Sequence, residues 1–191
     1  MTTLTRVLIA EDETIIRLDL RSLLEAAGFE VCGEARDGAE AVDLAASTDP
    51  DVVLLDVKMP VVDGLEAAAR ILKERPLPIV LITAYRDEEI TDRAAETGVF
   101  ALLTKPFRED EVVPAIKTAQ ARHAELVELR REALGLREAL EARKTIERAK
   151  GILMAKEGLS EAEAFDRLRL ASQRSGRPMK VIADALAATL G

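Results

Sequence analysis

The 191-residue chain has room for one domain of about 120 residues and a smaller partner, and an apolar fraction of 48% can form a core in each. Its formal charge of −8 argues against a surface coated with nucleic acid, and its single cysteine, Cys32, excludes an intramolecular disulfide. Since there is no export signal and no apolar run of about 18 residues, we expect a cytoplasmic protein that does not enter the membrane.

Residues 6–106 alternate short apolar runs with amphipathic segments. The runs cover 7–10, 30–35, 52–55, 78–82 and 100–104, and three of them are almost continuous Val, Ile and Leu, which is typical of strands buried on both faces. The predicted helices cover 14–27, 38–47, 64–74 and 87–97, and Gly28 and Gly98 follow two of them as C-terminal caps. This alternation predicts a doubly wound α/β fold with a five-stranded parallel sheet.

A charged helix is predicted from Glu109 to about Lys156. Apolar residues recur along it at a spacing of mostly three or four: Val112, Ala119, Leu126, Leu129, Ala133, Leu136 and Leu140. On so long a helix, this stripe predicts a coiled-coil seam between two chains. The alternative is that the stripe packs on the chain's own helices.

The C-terminal segment is predicted to form two further helices. Ser160 and Glu163 form a capping box at the start of the first, which runs to about residue 174, and the second ends near residue 190. The residues predicted to face inwards are Ile152, Leu153, Ala162, Phe165, Leu168, Ala171, Val181, Ile182 and Leu186. The resulting division is a first domain over 1–122, a linker helix over 123–142 and a three-helix module over 143–191.

Five polar side chains stand at the carboxyl ends of the predicted strands. Glu11 and Asp12 follow the first strand, Asp56 the third, Thr83 the fourth, and Lys105 the fifth. Ligands bind at this edge of an open α/β sheet. Three clustered carboxylates need a cation, and a ligand set of oxygens alone favours Mg²⁺. Beside such an ion and a lysine, a carboxylate can attack a phosphoryl group.

Four segments, 8–13, 54–64, 82–84 and 105–107, resemble the receiver domain of two-component response regulators, and the likeness covers about residues 5–122. The resemblance implies the strand order 2-1-3-4-5 and Asp56 as the acceptor of a phosphoryl group from a histidine kinase. It implies Mg²⁺ on Asp12, Asp56 and the carbonyl of Lys58, with Glu11 acting through water. It also implies phosphate contacts from Thr83 and Lys105, and a cis peptide between Lys105 and Pro106.

One position departs from the receiver pattern. Receivers commonly carry Tyr or Phe three residues before the lysine, where the aromatic ring moves inwards on activation, but this chain has Leu102. Tyr85, two residues after Thr83, is the candidate to compensate. Otherwise we expect activation to pass mainly through the fifth strand and the long helix.

Residues 143–154 and 160–169 resemble the ANTAR domain of transcription antitermination regulators, over about residues 130–191. The resemblance implies a dimer that binds RNA stem-loops and either prevents transcription termination or changes translation. Residues 137–191 carry 11 Lys and Arg against 8 Asp and Glu, while the preceding part is net acidic, which agrees with a polyanion partner for the tail. The candidate RNA-binding residues are Arg143, Lys144, Arg148, Lys150, Lys156, Arg174, Arg177 and Lys180.

Other interpretations of residues 143–191 remain open from the sequence. The cations alternate with Glu138, Glu141 and Glu147, so they can instead form ion pairs on a solvated helix. A helix-turn-helix that binds DNA is the second candidate output, although the final helix has few base-reading side chains, and a protein-docking module is the third. An enzymatic output is not expected, because the chain shows no glycine-rich nucleotide loop and its one histidine, His123, is predicted to be solvated.

Overall fold

The structure is a computed structural model that describes residues 4–84 and 97–190. Tyr85 and the helix predicted over 87–97, apart from Thr97, lie outside the described residues. The chain divides into two compact units, Met1–Val127 and Glu128–Gly191. The boundary lies inside the predicted linker helix.

The first unit is an α/β fold around one parallel sheet. Its elements in chain order are β1 Arg6–Ala10, α1 Thr14–Ala26, β2 Glu30–Ala35, α2 Gly38–Thr48, β3 Val52–Asp56, α3 Gly64–Glu74, β4 Ile79–Thr83 and β5 Ala101–Thr104. A long helix, α4, then runs from Glu109 to Glu157 and continues into the second unit. The strand order is β2-β1-β3-β4-β5 with every neighbouring pair parallel, so the predicted fold and strand order are confirmed.

The three central strands of the sheet, β1, β3 and β4, are buried on both faces, as their aliphatic runs predicted. Every residue of β3 and β4 is buried. Alternate residues of β1 enter two separate cores: Leu8 packs in a cluster with α2 and α3, whereas Ile9 packs in one with α1 and the start of α4. Because these strands are covered on both faces, their polar side chains lie at the strand ends.

Local signals fix the helix ends. After α1, Gly28 takes a φ of 85°, its amide donates to the Glu25 carbonyl, and the Phe29 amide donates to that of Leu24. These paired bonds form a Schellman cap, as the position of Gly28 predicted. At the start of α3, the Asp63 carboxylate accepts from the amide of Glu66, 2.8 Å away.

The start of α4 belongs to the core of the first unit. Val112, Ile116 and Ala119 are fully buried there, so Val112 and Ala119 pack on the chain's own sheet and are not part of an exposed seam. The rest of the predicted stripe differs: Leu136 is 72% exposed, and Leu129 and Leu140 are also exposed. The prediction of a seam therefore applies only to the part from Leu126 onwards.

The second unit packs the end of α4 against α5 (Glu161–Ser175) and α6 (Met179–Leu190). The predicted capping box is present, since the Ser160 hydroxyl accepts from the Glu163 amide and the Glu163 carboxylate accepts from the Ser160 amide. The apolar core of this unit consists of Ala149, Leu153, Ala164, Leu168 and Ala183.

Three residues predicted to face inwards in this unit do not. Ala162, Phe165 and Val181 are exposed, and Phe165 keeps 41% of its surface accessible. Small Ala164 takes the core position on α5 instead, four residues before Leu168 on the same face. Phe165 follows Ala164 by one residue, about 100° further round the helix, and so lies off this buried face.

The prediction for His123 was also wrong. Its ring is half-buried and packs edge-on against Phe100, with centroids 5.5 Å apart. In the described part of the chain, no helix has the length and apolar character needed to cross a membrane.

Candidate functional site: an acidic pocket and a cationic helical unit

Three carboxylates meet at the carboxyl ends of β1 and β3. Asp56 is the last residue of β3 and is almost fully buried, Glu11 directly follows β1 and is fully buried, and Asp12 is exposed. One oxygen of each lies within 4.8 Å of the others. β1 and β3 are hydrogen-bonded neighbours, so their ends, and the side chains that follow, must lie side by side.

Lys105 bridges two of these carboxylates. Its Nζ lies 2.8 Å from Oδ2 of Asp56 and 2.7 Å from Oε2 of Glu11. The lysine directly follows β5, and its amide donates to the Thr83 carbonyl at 2.8 Å. The predicted cis peptide to Pro106 is present.

The protonation equilibria follow from this arrangement. Burial raises the pKa of the Glu11 carboxyl, and the negative charge of Asp56 acts in the same direction. Lys105 and the Glu13 amide lower this pKa but do not cancel the effect of burial. Burial alone would lower the pKa of Lys105, but its contacts with Asp56 and Glu11 outweigh burial and raise it. The lysine therefore stays charged at neutral pH.

The other predicted residues lie around the carboxylates. Thr83 ends β4 and is buried, and β4 pairs with β3 so that Asp56 is opposite Ile82, one residue before Thr83. Lys58 is exposed two residues after Asp56. Leu102 lies on β5 and is 40% exposed.

A glycine brings α3 against the backbone of Asp56. A Cβ added to Gly64 would lie 2.0 Å from the Asp56 carbonyl oxygen and 2.9 Å from the Cα of Val57. The amide of Gly64 also donates to the Val57 carbonyl. The position of the Asp56 side chain thus depends on the absence of a side chain at residue 64.

The pocket fits a hard divalent cation. It offers carboxylate oxygens, with no His or Cys among the three clustered groups, which is the ligand chemistry of Mg²⁺. Two of the carboxylates are buried, and within the described residues Lys105 alone pairs with them. A divalent ion would supply the missing positive charge.

Arg17 also contacts this site, although the sequence did not predict it. Arg17 of α1 is buried and its Nη1 donates to the carbonyl of Glu11 at 2.6 Å. Arginine side chains on surface helices are usually exposed to solvent. Nothing in the sequence around Arg17 indicates that its side chain turns towards the pocket.

The second unit carries the predicted RNA-binding cations in two different states. Six of the eight predicted cations have an exposed side chain and no ion pair with any described residue: Arg143, Arg148, Lys156, Arg174, Arg177 and Lys180. Lys144 is exposed and pairs with Glu141 at 2.8 Å. These seven cations remain accessible to a polyanion.

Lys150 differs from the other seven. Its side chain is only 8% exposed, and its Nζ lies 3.0 Å from the Glu147 carboxylate and 2.7 Å from that of Glu161. The ammonium joins α4 to the start of α5, and these contacts raise its pKa, mainly through Glu161. Lys150 therefore acts within the fold of the unit.

Two family models match the chain. The response regulator receiver domain matches residues 7–117, and the ANTAR domain matches residues 135–186. The transcriptional regulatory protein PdtaR of Mycobacterium tuberculosis is 45% identical over 186 residues, which cover 97% of this chain and 91% of that protein. The protein-glutamate methylesterase/protein-glutamine glutaminase of Pyrococcus abyssi is 39% identical over 138 residues, which are 38% of that enzyme.

Solved structures match the first unit. The signal receiver domain of a modulated diguanylate cyclase from Desulfovibrio desulfuricans has a TM-score of 0.60 and 36% identity, over 64% of this chain and 98% of that one. The receiver domain of the response regulator NarL from Mycobacterium tuberculosis has a TM-score of 0.60 and 32% identity, over 63% of this chain and 98% of that one.

Proposed function

The chain belongs to the response regulators that join a receiver domain to an ANTAR domain, and on that premise we propose that phosphorylation of Asp56 by a histidine kinase controls RNA binding by the C-terminal unit. The observation that carries the proposal is the contact of Lys105 with both Asp56 and Glu11 at the carboxyl ends of the strands. The output is regulatory: binding of RNA stem-loops, with transcription antitermination or translational control as its effect.

Asp56 has the surroundings that a phosphoryl acceptor needs. In the proposed step its Oδ forms a bond to phosphorus while the bond from phosphorus to the imidazole nitrogen of the kinase breaks, and the electron pair leaves with the imidazole. Lys105, already 2.8 Å from Asp56, compensates the charge of the phosphoryl oxygens, and Thr83 donates a hydrogen bond to one of them. Mg²⁺ held by Asp12, Asp56 and the Lys58 carbonyl, with Glu11 assisting, would supply further positive charge.

The C-terminal unit offers a surface for RNA. The seven accessible cations lie on or beside helices with no sheet on which to stack bases, so phosphate contacts and polar contacts to loop bases would dominate. Lys150 is left out of this surface because its ammonium is buried between two glutamates.

The exposed part of α4 supports pairing of two chains. Leu126, Ala133 and Leu140 recur every seven residues, and Leu129 and Leu136 take the fourth position of each repeat. On this register, Glu132 and Arg137 flank the seam five residues apart. In a parallel pair, that spacing brings Glu132 beside Arg137 of the partner subunit. Phosphorylation would then favour pairing and bring two RNA-binding units together, which converts two weak contacts into one bivalent contact.

The proposal is tested with a transcript pool from the host. The full chain is incubated with Mg²⁺ and acetyl phosphate, bound RNA is recovered and sequenced, and Asp56→Asn is the matched control. We expect RNAs with paired stem-loops to be enriched by the phosphorylated chain, and expect binding that weakens with salt and is absent for a random DNA duplex. Equal enrichment by Asp56→Asn, or equal affinity for the duplex, would contradict the proposal.

A further inference from the structure

Two arginines on α1 face the same glutamate on β2 but end in different places. Arg17 lies 3.5 Å from the carboxylate of Glu34, and Arg21 lies 2.6 Å from it. The side chain of Arg17 is 9% exposed, whereas that of Arg21 is 46% exposed and also pairs with Glu25 within α1. Only Arg17 continues past Glu34 to the loop that follows β1.

The contact of Arg17 with that loop is made to backbone. Its Nη1 donates to the carbonyl oxygen of Glu11 at 2.6 Å and lies 3.5 Å from that of Asp12. The Glu11 amide is held by the Ala35 carbonyl of β2 at 3.1 Å. The backbone of Glu11 is thus fixed on both sides, whereas the side chain of Asp12 is exposed.

The charge of Arg17 does not oppose a cation in the pocket. A guanidinium beside a metal site would repel the ion, but the Glu34 carboxylate balances this one. Arg17 therefore influences the pocket through its hydrogen bond and not through its net charge. This buried, charge-assisted bond holds the Glu11 carbonyl and limits how the Glu11 and Asp12 side chains can turn.

We propose that Arg17 is a positioning residue that fixes the Glu11–Asp12 loop for binding of a divalent cation; the inference rests on the proposed role of the pocket as a Mg²⁺ site. Partners that orient metal ligands without touching the metal typically change its affinity by about 10- to 100-fold when they are removed. Arg17 acts on two of the three clustered carboxylates through one backbone segment.

The test measures the dissociation constant of Mg²⁺ by isothermal titration calorimetry on the full chain. Arg17→Met is the perturbation and Arg21→Met is its control, because both remove a guanidinium from Glu34 and only the first removes the loop contact. In Arg17→Met, Glu34 keeps Arg21 as a partner, so no unpaired carboxylate is created. We expect the dissociation constant to rise about tenfold for Arg17→Met and less than about twofold for Arg21→Met.

Arg17→Lys adds a partial rescue. An ammonium keeps the charge but makes a single compact contact, so a rise of roughly threefold is expected, and this variant carries the comparison if Arg17→Met does not fold. If Arg17 had only a structural role, its variants would lower thermal stability, but the Mg²⁺ dissociation constants would not rise in the order Arg21→Met, Arg17→Lys, Arg17→Met. Wild-type affinity in both Arg17 variants would overturn the inference alone, whereas a wild-type chain that binds no Mg²⁺ at millimolar levels would overturn the proposed pocket as well.

Discussion

Gly64 gives a sharp test of how α3 is packed against β3. The Cβ of an alanine there would lie 2.0 Å from the Asp56 carbonyl oxygen, whereas non-bonded carbon contacts are optimal at about 3.5 Å, so the backbone must shift by roughly 1.5 Å. The three atoms nearest to that Cβ are all backbone atoms, so no rotamer change can relieve the contact. Overpacking of a core costs about 1–3 kcal/mol, and we expect Gly64→Ala to destabilise the first unit by about 2 kcal/mol.

Hydrogen–deuterium exchange read by mass spectrometry measures this for each unit separately. Since a factor of ten corresponds to about 1.4 kcal/mol, the slowest amides of β3 and β4 should exchange about thirty times faster in Gly64→Ala. Gly135→Ala is the control, and its change in the free energy of unfolding should have the opposite sign. A Cβ at residue 135 would meet no atom within 4 Å, so alanine should stabilise α4 by about 0.5–1 kcal/mol. Wild-type exchange in β3 and β4 of Gly64→Ala would refute the reasoning.

Three further predictions concern charge. Burial raises the pKa of Glu11 above its ordinary 4.5, so ionisation of this carboxyl lowers the stability of the fold as pH rises through the raised pKa. In the absence of Mg²⁺, Glu11→Gln should therefore have a higher melting temperature than wild type at pH 7 and the same melting temperature near pH 4. A lower melting temperature of the variant at pH 7 would contradict this. Arg137→Glu should weaken phosphodonor-dependent dimerisation in sedimentation, and adding Glu132→Arg should restore it; no effect of either would exclude the parallel register. Arg148→Gln should lower RNA affinity and reduce the slope of log affinity against log salt concentration by about one. Lys150→Gln should instead lower the thermal stability of the second unit and leave that slope unchanged.

The fold was predictable because its signals are local. A run of Val, Ile and Leu buried on both faces ends where a polar residue follows, so Asp56 and Thr83 were placed within one residue of their positions at the ends of β3 and β4. Parallel strands share one carboxyl edge. The meeting of Glu11, Asp12 and Asp56 therefore follows from chain order and sheet type alone.

The sequence did not predict arrangements that depend on contacts between distant segments of the chain. In the sequence, Lys150 is one of several cations on a charged helix. Its environment depends on Glu161, which contacts it from the next helix. Phe165 is the larger apolar residue, yet the face of α5 that packs on the other helices carries the neighbouring Ala164. The contact of Arg17 with the Glu11 carbonyl likewise requires the three-dimensional position of α1 against β1.

The central claim is that Asp56 carries a phosphoryl group beside Lys105. Intact-mass spectrometry after incubation with acetyl phosphate and Mg²⁺ tests it most directly, with Asp56→Asn and a sample containing excess EDTA as controls. We expect one phosphoryl group per wild-type chain, located on the peptide that contains Asp56, and none on either control. Equal labelling of Asp56→Asn, or labelling that persists in EDTA, would contradict the account.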